Sequence, residues 1–202
     1  MKRSAEWTRK TKETDIFASV DLEGKGESQI ETSIGFLDHM LDVFCRSGRF
    51  DLRLTARGDL EVDQHHLVED CGIVLGGVFD RALGDRRGIN RAGYFVYPMD
   101  EALAVVAVDL GGRPYLQFEA DFRRRHCGGL DTDLLPDFFH ALANHLKANL
   151  VVRMPFGRSD HHKLEAVFKA LGKAMRMACS LDIRDIRDVP STKGVIDGDR
   201  DR

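Results

Sequence analysis

Asp63-Gln64-His65-His66-Leu67-Val68-Glu69 returns later in the chain as Ser159-Asp160-His161-His162-Lys163-Leu164-Glu165, 96 positions on (161 minus 65). The same offset carries Leu75-Gly76 onto Leu171-Gly172 and Ala82 onto Ala178. Neither core packing nor helix propensity asks for a His pair with a downstream Glu, so its recurrence at matched positions predicts a duplicated structural unit. Because imidazole and carboxylate are metal-ligand types, a metal site is expected to have been copied with the fold. On a helix, residues i and i+4 share a face, which lets His65 and Glu69 hold one ion together. His66 lies about 100° further round. His161 with Glu165, and His162, repeat the arrangement. Each motif is therefore expected to serve two ions, or one ion here and another at a subunit contact.

Outward from the motifs, the remaining elements follow the same duplication. His65 to Leu83 and His161 to Ser180 read as helices; the second carries Leu164, Val167, Phe168, Leu171, Met175 and Ala178 at helical period. Thr14 to Val20 and Ser28 to Thr32 read as strands and Phe36 to Cys45 as an amphipathic helix. Leu52 and Leu54, then Leu60 and Val62, alternate around Arg57-Gly58-Asp59, a hairpin signal. In the second half Gly93 to Tyr97, Ala102 to Leu110 and Tyr115 to Ala120 are strand-like, Leu134 to Leu146 is helical and Asn149 to Met154 is a strand. On this reading the second half opens with one strand more than the first. The fold class is α+β by internal duplication: two half-domains, each a mostly antiparallel sheet with helices on one face, the helices packed between the sheets. The chain is expected to form a single unit over 1–202, with repeats at about 9–90 and 91–194 and a C-terminal tail over 195–202, loose from Asp197 to Arg202.

Composition narrows the function classes. A formal charge of -3 gives no general pull toward nucleic acid or an anionic membrane, and no apolar run approaches the roughly 20 residues that span a bilayer. Met1-Lys2-Arg3-Ser4-Ala5-Glu6-Trp7 lacks a signal peptide's apolar stretch. Cys45, Cys71, Cys127 and Cys179 show no C-x-x-C spacing and read as reduced thiols. A cytoplasmic protein is expected. Arg123-Arg124-Arg125 reads as a solvated run.

Each ion needs further ligands. His39 lies on the helix before the first motif, and counting back from the strand after each helix sets Asp137 opposite it. Imidazole plus carboxylate suits Mn, Fe, Co, Ni or Zn.

Thr11-Lys12-Glu13-Thr14, Gly35-Phe36-Leu37-Asp38-His39-Met40-Leu41, His65-His66 with Glu69-Asp70, Pro98-Met99-Asp100-Glu101-Ala102, Gly112-Arg113-Pro114-Tyr115 and Ser191-Thr192-Lys193-Gly194 occur in the order and spacing of one family. From about Arg9 to Gly194 the chain resembles imidazoleglycerol-phosphate dehydratase, the histidine-pathway enzyme that converts imidazole glycerol phosphate to imidazole acetol phosphate. The resemblance implies a duplicated α/β fold, two manganese ions per active site, and a homo-oligomeric shell of 24 subunits with sites at subunit contacts. It implies His39, His65, His66, Glu69, His161, His162 and Glu165 as metal ligands, with Asp137 where several relatives carry His. Ser47 and Val151 also stand where the family often has His. Arg91, Arg113, Lys169, Ser191 and Lys193 match its phosphate-binding positions, and Glu13, from Thr-Lys-Glu-Thr, is the expected proton shuttle at the substrate. Asp100 and Glu101 are candidates to orient metal-bound histidines.

The chemistry explains why such residues are needed. Removing a hydroxyl beside an unactivated C–H leaves a carbanion with no carbonyl to stabilise it. An imidazole ring held as its imidazolate by a Lewis acid can take that role, and water then leaves through a diazafulvene-like intermediate. Two other readings use the same ligands: a dinuclear metallohydrolase of phosphate esters, and a non-catalytic relative in which metals only cement a shell.

Overall fold

A computed structural model describes residues 3–184 and 186–196 of the chain; the tail expected from Asp197 to Arg202 lies outside them. The first half comprises β1 (Ser4–Lys10), β2 (Thr14–Asp21), β3 (Ser28–Glu31), α1 (Gly35–Gly48), β4 (Asp51–Gly58) and α2 (His65–Leu83). The second comprises β5 (Ala92–Met99), β6 (Ala102–Asp109), β7 (Tyr115–Glu119), a short hairpin of β8 (His126–Cys127) and β9 (Leu130–Asp131), α3 (Leu135–Leu146), β10 (Asn149–Phe156) and α4 (Asp160–Cys179). The sheets run β1-β2-β4-β3 and β5-β6-β10-β7. In each, the first three strands pair antiparallel and the last is parallel to its neighbour. The same topology appears twice, as the repeated motif requires.

Alternation puts one face of each strand inside. Ile16, Ala18 and Val20 of β2, Leu52, Leu54 and Ala56 of β4, Ala104, Val106 and Val108 of β6, and Leu150 and Val152 of β10 are all buried. The helices cover these faces and pack on one another across the halves, α2 on α3 and α1 on α4, giving a sheet–helix–helix–sheet sandwich. The repeated glycines explain the closeness of both crossings. A Cβ on Gly76 would stand 2.6 Å from the carbonyl oxygen of Leu142, and one on Gly172 would stand 2.4 Å from that of Phe44. Only a residue without a side chain lets the helix backbones approach this far.

Two expectations need correction. The hairpin at Arg57-Gly58-Asp59 does not form: β4 ends at Gly58, and Leu60 to Val62 make a turn that leaves Val62 67% exposed. β4 already has β2 on one edge and β3 on the other, so no hydrogen-bonding edge remains for a returning strand. Nor does the second half open with an extra strand. β1 supplies the first half's own opening strand, with Ala5 and Trp7 turned inward and Glu6, Thr8 and Lys10 outward. Its charged outer face hides the alternation in the sequence.

The buried Arg86 joins the halves from the loop after α2. Its guanidinium donates to Asp80 at 2.6 Å and to the carbonyls of Leu110 and Leu146, both at 2.7 Å. Cys45, Cys71 and Cys179 are buried free thiols and Cys127 is half-buried; burial pushes all four up, Cys179 to about 12.

Candidate metal centre

Both motifs open a helix at the rim of the sandwich. Ser159 caps α4, its side chain accepting from the His162 N–H. α2 starts from Gln64, and the Asp63 carboxylate accepts from the His65 N–H at 2.9 Å. The His pairs therefore sit on first helical turns, where neighbouring loops leave their rings partly exposed.

Around the second motif, His161 Nε2 lies 3.1 Å from Glu165 Oε2, and His39, reaching across from α1, places its Nε2 3.7 Å from the same oxygen. Ligand atoms of these three residues all fall within 4.8 Å of one another. Lys169 Nζ bonds the other Glu165 oxygen at 2.8 Å and stands 5.4 Å over the Tyr97 ring. Burial alone would raise Glu165, but Lys169 and the His161 ring hold its carboxyl below the ordinary range. Around the first motif, His65 Nε2 is 3.6 Å from Glu69 Oε2, while its Nδ1 is 3.6 Å from Asp137 Oδ2 on α3. The two groups differ: His39 and His161 meet the same Glu165 oxygen, whereas Asp137 approaches the His65 nitrogen opposite the one that faces Glu69.

The second histidine of each pair turns away from these groups. His66 Nδ1 donates to Asp59 at 3.1 Å and lies 4.0 Å from Glu13 Oε2; the hydrogen bond to Asp59 raises the imidazole's pKa. His162 Nδ1 donates to Glu101 at 2.8 Å, with Nε2 3.7 Å from Asp100; this bond raises His162 and, with the Ser159 N–H, holds Glu101 down at about 2. Glu13 lies in the turn between β1 and β2, and Glu101 in the turn between β5 and β6, so equivalent hairpins bring a glutamate to each second histidine. Asp70 fixes the first of these turns, since its carboxylate bonds the Thr14 hydroxyl and pairs with Arg9 at 3.0 Å.

The cations expected at a phosphate are divided. Lys169 belongs to the Glu165 group, beside Met99 at the end of β5. Arg91, just before β5, pairs with Asp109 at 2.6 Å and donates to the Pro190 carbonyl at 2.9 Å, which brings the segment with Ser191 and Lys193 to it. Arg113 is exposed in the turn before β7. β5 runs seven residue steps from Ala92, next to Arg91, to Met99, roughly 23 Å, so one copy of the chain does not bring Lys169 and Arg91 together. Two contacts have no signal in the sequence: Asp59, beside the expected hairpin turn, bonds His66, and the Phe36 ring lies edge-on to His161 at 5.3 Å and to His39 at 6.3 Å.

His39, His161 and Glu165, whose ligand atoms converge, are a donor set that fits a divalent transition-metal ion, and Asp100, Glu101 and His162 form a second convergent group. Glu69 and Asp137 approach opposite nitrogens of the His65 ring, so within one copy those three do not converge on one point. A family model described as imidazoleglycerol-phosphate dehydratase matches residues 32–175. The chain belongs to the imidazoleglycerol-phosphate dehydratase family. A member from Roseiflexus sp. (strain RS-1) is 52% identical over 194 residues, covering 96% of this chain and 98% of that one. One from Lacticaseibacillus casei (strain BL23) is 50% identical, covering 96% and 100%. The crystal structure of imidazoleglycerol-phosphate dehydratase from Staphylococcus aureus subsp. aureus N315 superposes with a TM-score of 0.80 at 34% identity, over 89% of this chain and 99% of that one. Family membership thus agrees with a fold in which both halves carry the same topology and the same motif.

Proposed function

We propose that this chain is a hydro-lyase that dehydrates D-erythro-imidazole glycerol phosphate to imidazole acetol phosphate in histidine biosynthesis. The observation that carries the reading is the pair of matched imidazole–carboxylate groups at the starts of α2 and α4, in a chain about half identical to relatives of that name over nearly its full length. His39, His161 and Glu165, and His65, Glu69 and Asp137, with His66 and His162, would hold the metal. Two manganese ions per active site, when bound, supply the Lewis acidity that favours the imidazolate form of the substrate ring.

The chain's own residues supply the rest. Glu13, whose carboxylate lies 4.0 Å from His66 Nδ1, would carry a proton between the substrate carbon and the leaving hydroxyl. Asp59 and Glu101 accept from the Nδ1 N–H of His66 and His162, which fixes ring orientation and leaves each Nε2 as the nitrogen that would meet an ion. Lys169 from one copy, with Arg91, Arg113, Ser191 and Lys193 from another, would bind the phosphate, because the distance along β5 keeps them apart within a single chain. The half-exposed ligands, His161 at 47% and Asp137 at 47%, face outward where a neighbouring copy can complete each coordination shell. A shell of 24 copies in the cytoplasm, built from a single domain of two repeats at about 9–90 and 91–194, follows from the same reading. No helix among the described residues is long and apolar enough to cross a membrane.

The test is product analysis. Purified protein incubated with Mn2+ and imidazole glycerol phosphate should yield imidazole acetol phosphate with its phosphate retained. Release of inorganic phosphate would replace this reading with a metallohydrolase. Metal binding with neither product would leave a metal-cemented shell. Glu13→Gln should lower kcat by roughly 10²- to 10⁴-fold while the substrate still binds.

A further inference from the structure

We propose that residues 121–131 form a strap that positions the imidazoles of both motifs, with Gln64 and Asp160 as its two anchoring residues. Gln64 and Asp160 occupy the same repeat position, immediately before each His pair. Each uses its side chain on the same segment, at opposite ends. The Asp160 carboxylate accepts from the backbone N–H groups of Arg123 and Arg124, both at 3.0 Å. The Gln64 amide donates to the Gly129 carbonyl at 2.8 Å and accepts from the Asp131 N–H at 3.1 Å. Asp160 is only 7% exposed, and its second oxygen lies 3.3 Å from the ammonium of Lys163, itself 6% exposed, which donates in turn to the Asp121 carbonyl at 2.6 Å. The segment is therefore tied down by a buried ion pair at one end and a two-bond amide clamp at the other.

Between these anchors the strap reaches the ligand groups. Gly128, at φ 55°, lies so close to Phe36 that a Cβ there would stand 2.6 Å from the ring. Phe36 in turn lies edge-on to both His39 and His161. Arg123, Arg124, His126 and Cys127 line one side of a 500 Å³ cavity that has His161 on its wall. Displacement of the strap would release Phe36, and with it the orientation of both rings, while freeing the helix start that carries His65. Outer contacts of this kind tune metal ligands without touching the ion.

The inference rests on the two motifs holding metal, and the experiment separates that premise from the strap. Mn2+ is titrated calorimetrically into the full-length protein, and amide hydrogen exchange is followed across residues 121–131. Gln64→Ala should weaken Mn2+ binding about tenfold or more and speed exchange in the strap, with the melting temperature of the metal-free protein unchanged. Gln64→Glu keeps the oxygen that accepts from the Asp131 N–H but loses the donor to Gly129, so it should recover part of the affinity. Asp160→Ala should weaken binding further; if it does not fold, the two Gln64 variants decide. Mn2+ affinity in Gln64→Ala equal to that of a metal-binding wild type overturns the strap. A fall in melting temperature with unchanged affinity also overturns it, reducing Gln64 to a structural contact. Failure of the wild type to bind Mn2+ removes the metal premise instead, and the strap's role with it.

Discussion

His39 and Asp137 face their motifs from equivalent helices, His39 Nε2 at 3.7 Å from Glu165 and Asp137 Oδ2 at 3.6 Å from His65. One half thus meets its motif with imidazole and the other with carboxylate. A site that included Asp137 would be the harder donor set, shifting selectivity toward Mn2+ relative to Zn2+ or Co2+. Asp137→His should restore the symmetry and raise Zn2+ affinity relative to Mn2+ by roughly tenfold, about 1.4 kcal/mol, in competition against a chromophoric chelator. An unchanged Zn2+ to Mn2+ ratio would show that Asp137 does not reach the metal.

The paired glycines make the helix crossings sensitive to a single methyl group. Gly172→Ala would set a Cβ 2.4 Å from the Phe44 carbonyl oxygen and 2.9 Å from the Gly48 nitrogen, neither of which is a flexible side-chain tip. The expected cost is about 1–3 kcal/mol, read as a lower urea midpoint. A stability equal to wild type would mean that α1 and α4 can separate without penalty.

Arg86 is a buried charge whose acceptors come from both halves, so its loss should be felt globally. Arg86→Ala leaves Asp80 with less compensation and frees the carbonyls of Leu110 and Leu146. A loss of about 3–5 kcal/mol is expected by chemical denaturation. A change below 1 kcal/mol, on the order of an exposed ion pair, would contradict this account.

The repeat was legible because duplication writes itself at a fixed offset: His65 and His161, Glu69 and Glu165, Gly76 and Gly172 all align. Strands with clean alternation, such as Ala102–Asp109, and helices with a 3.6-residue period, such as Asp160–Cys179, were equally visible. Pairing partners were not. Nothing local in Leu60 to Val62 reveals that both edges of β4 are taken, and nothing in Asp85-Arg86-Arg87 distinguishes the buried arginine from the exposed one. Within the candidate site, the spacing of His and Glu could be read, whereas the contacts of Asp59, Phe36, Gln64 and Asp160 arise only when distant segments fold onto the motifs.

Asp51 gives the fold a predictable acid response. One of its oxygens accepts from the backbone N–H groups of Lys25, Gly26 and Glu27 at 2.7, 3.0 and 2.9 Å. Burial would raise its pKa, but these three donors outweigh that and hold the carboxyl below its ordinary value. A folded pKa lower than the unfolded one stabilises the fold above the unfolded value of about 3.9, and the contribution is lost as pH falls through the folded value. Asp51→Ala should therefore cost about 1–3 kcal/mol near neutral pH, with the gap to wild type narrowing as pH drops below about 4. A gap independent of pH would assign the effect to packing.

The central claim is that the two His-His-x-x-Glu motifs are metal-holding half-sites completed between copies of the chain. Anomalous diffraction at the manganese edge, on crystals of the Mn2+-loaded protein, tests it most directly. The predicted result is anomalous density within bonding distance of His39, His161 and Glu165 of one copy, and of His65 and Glu69, with a neighbouring copy completing each shell. Strong manganese peaks elsewhere, with these side chains bonded only to one another or to water, would contradict it.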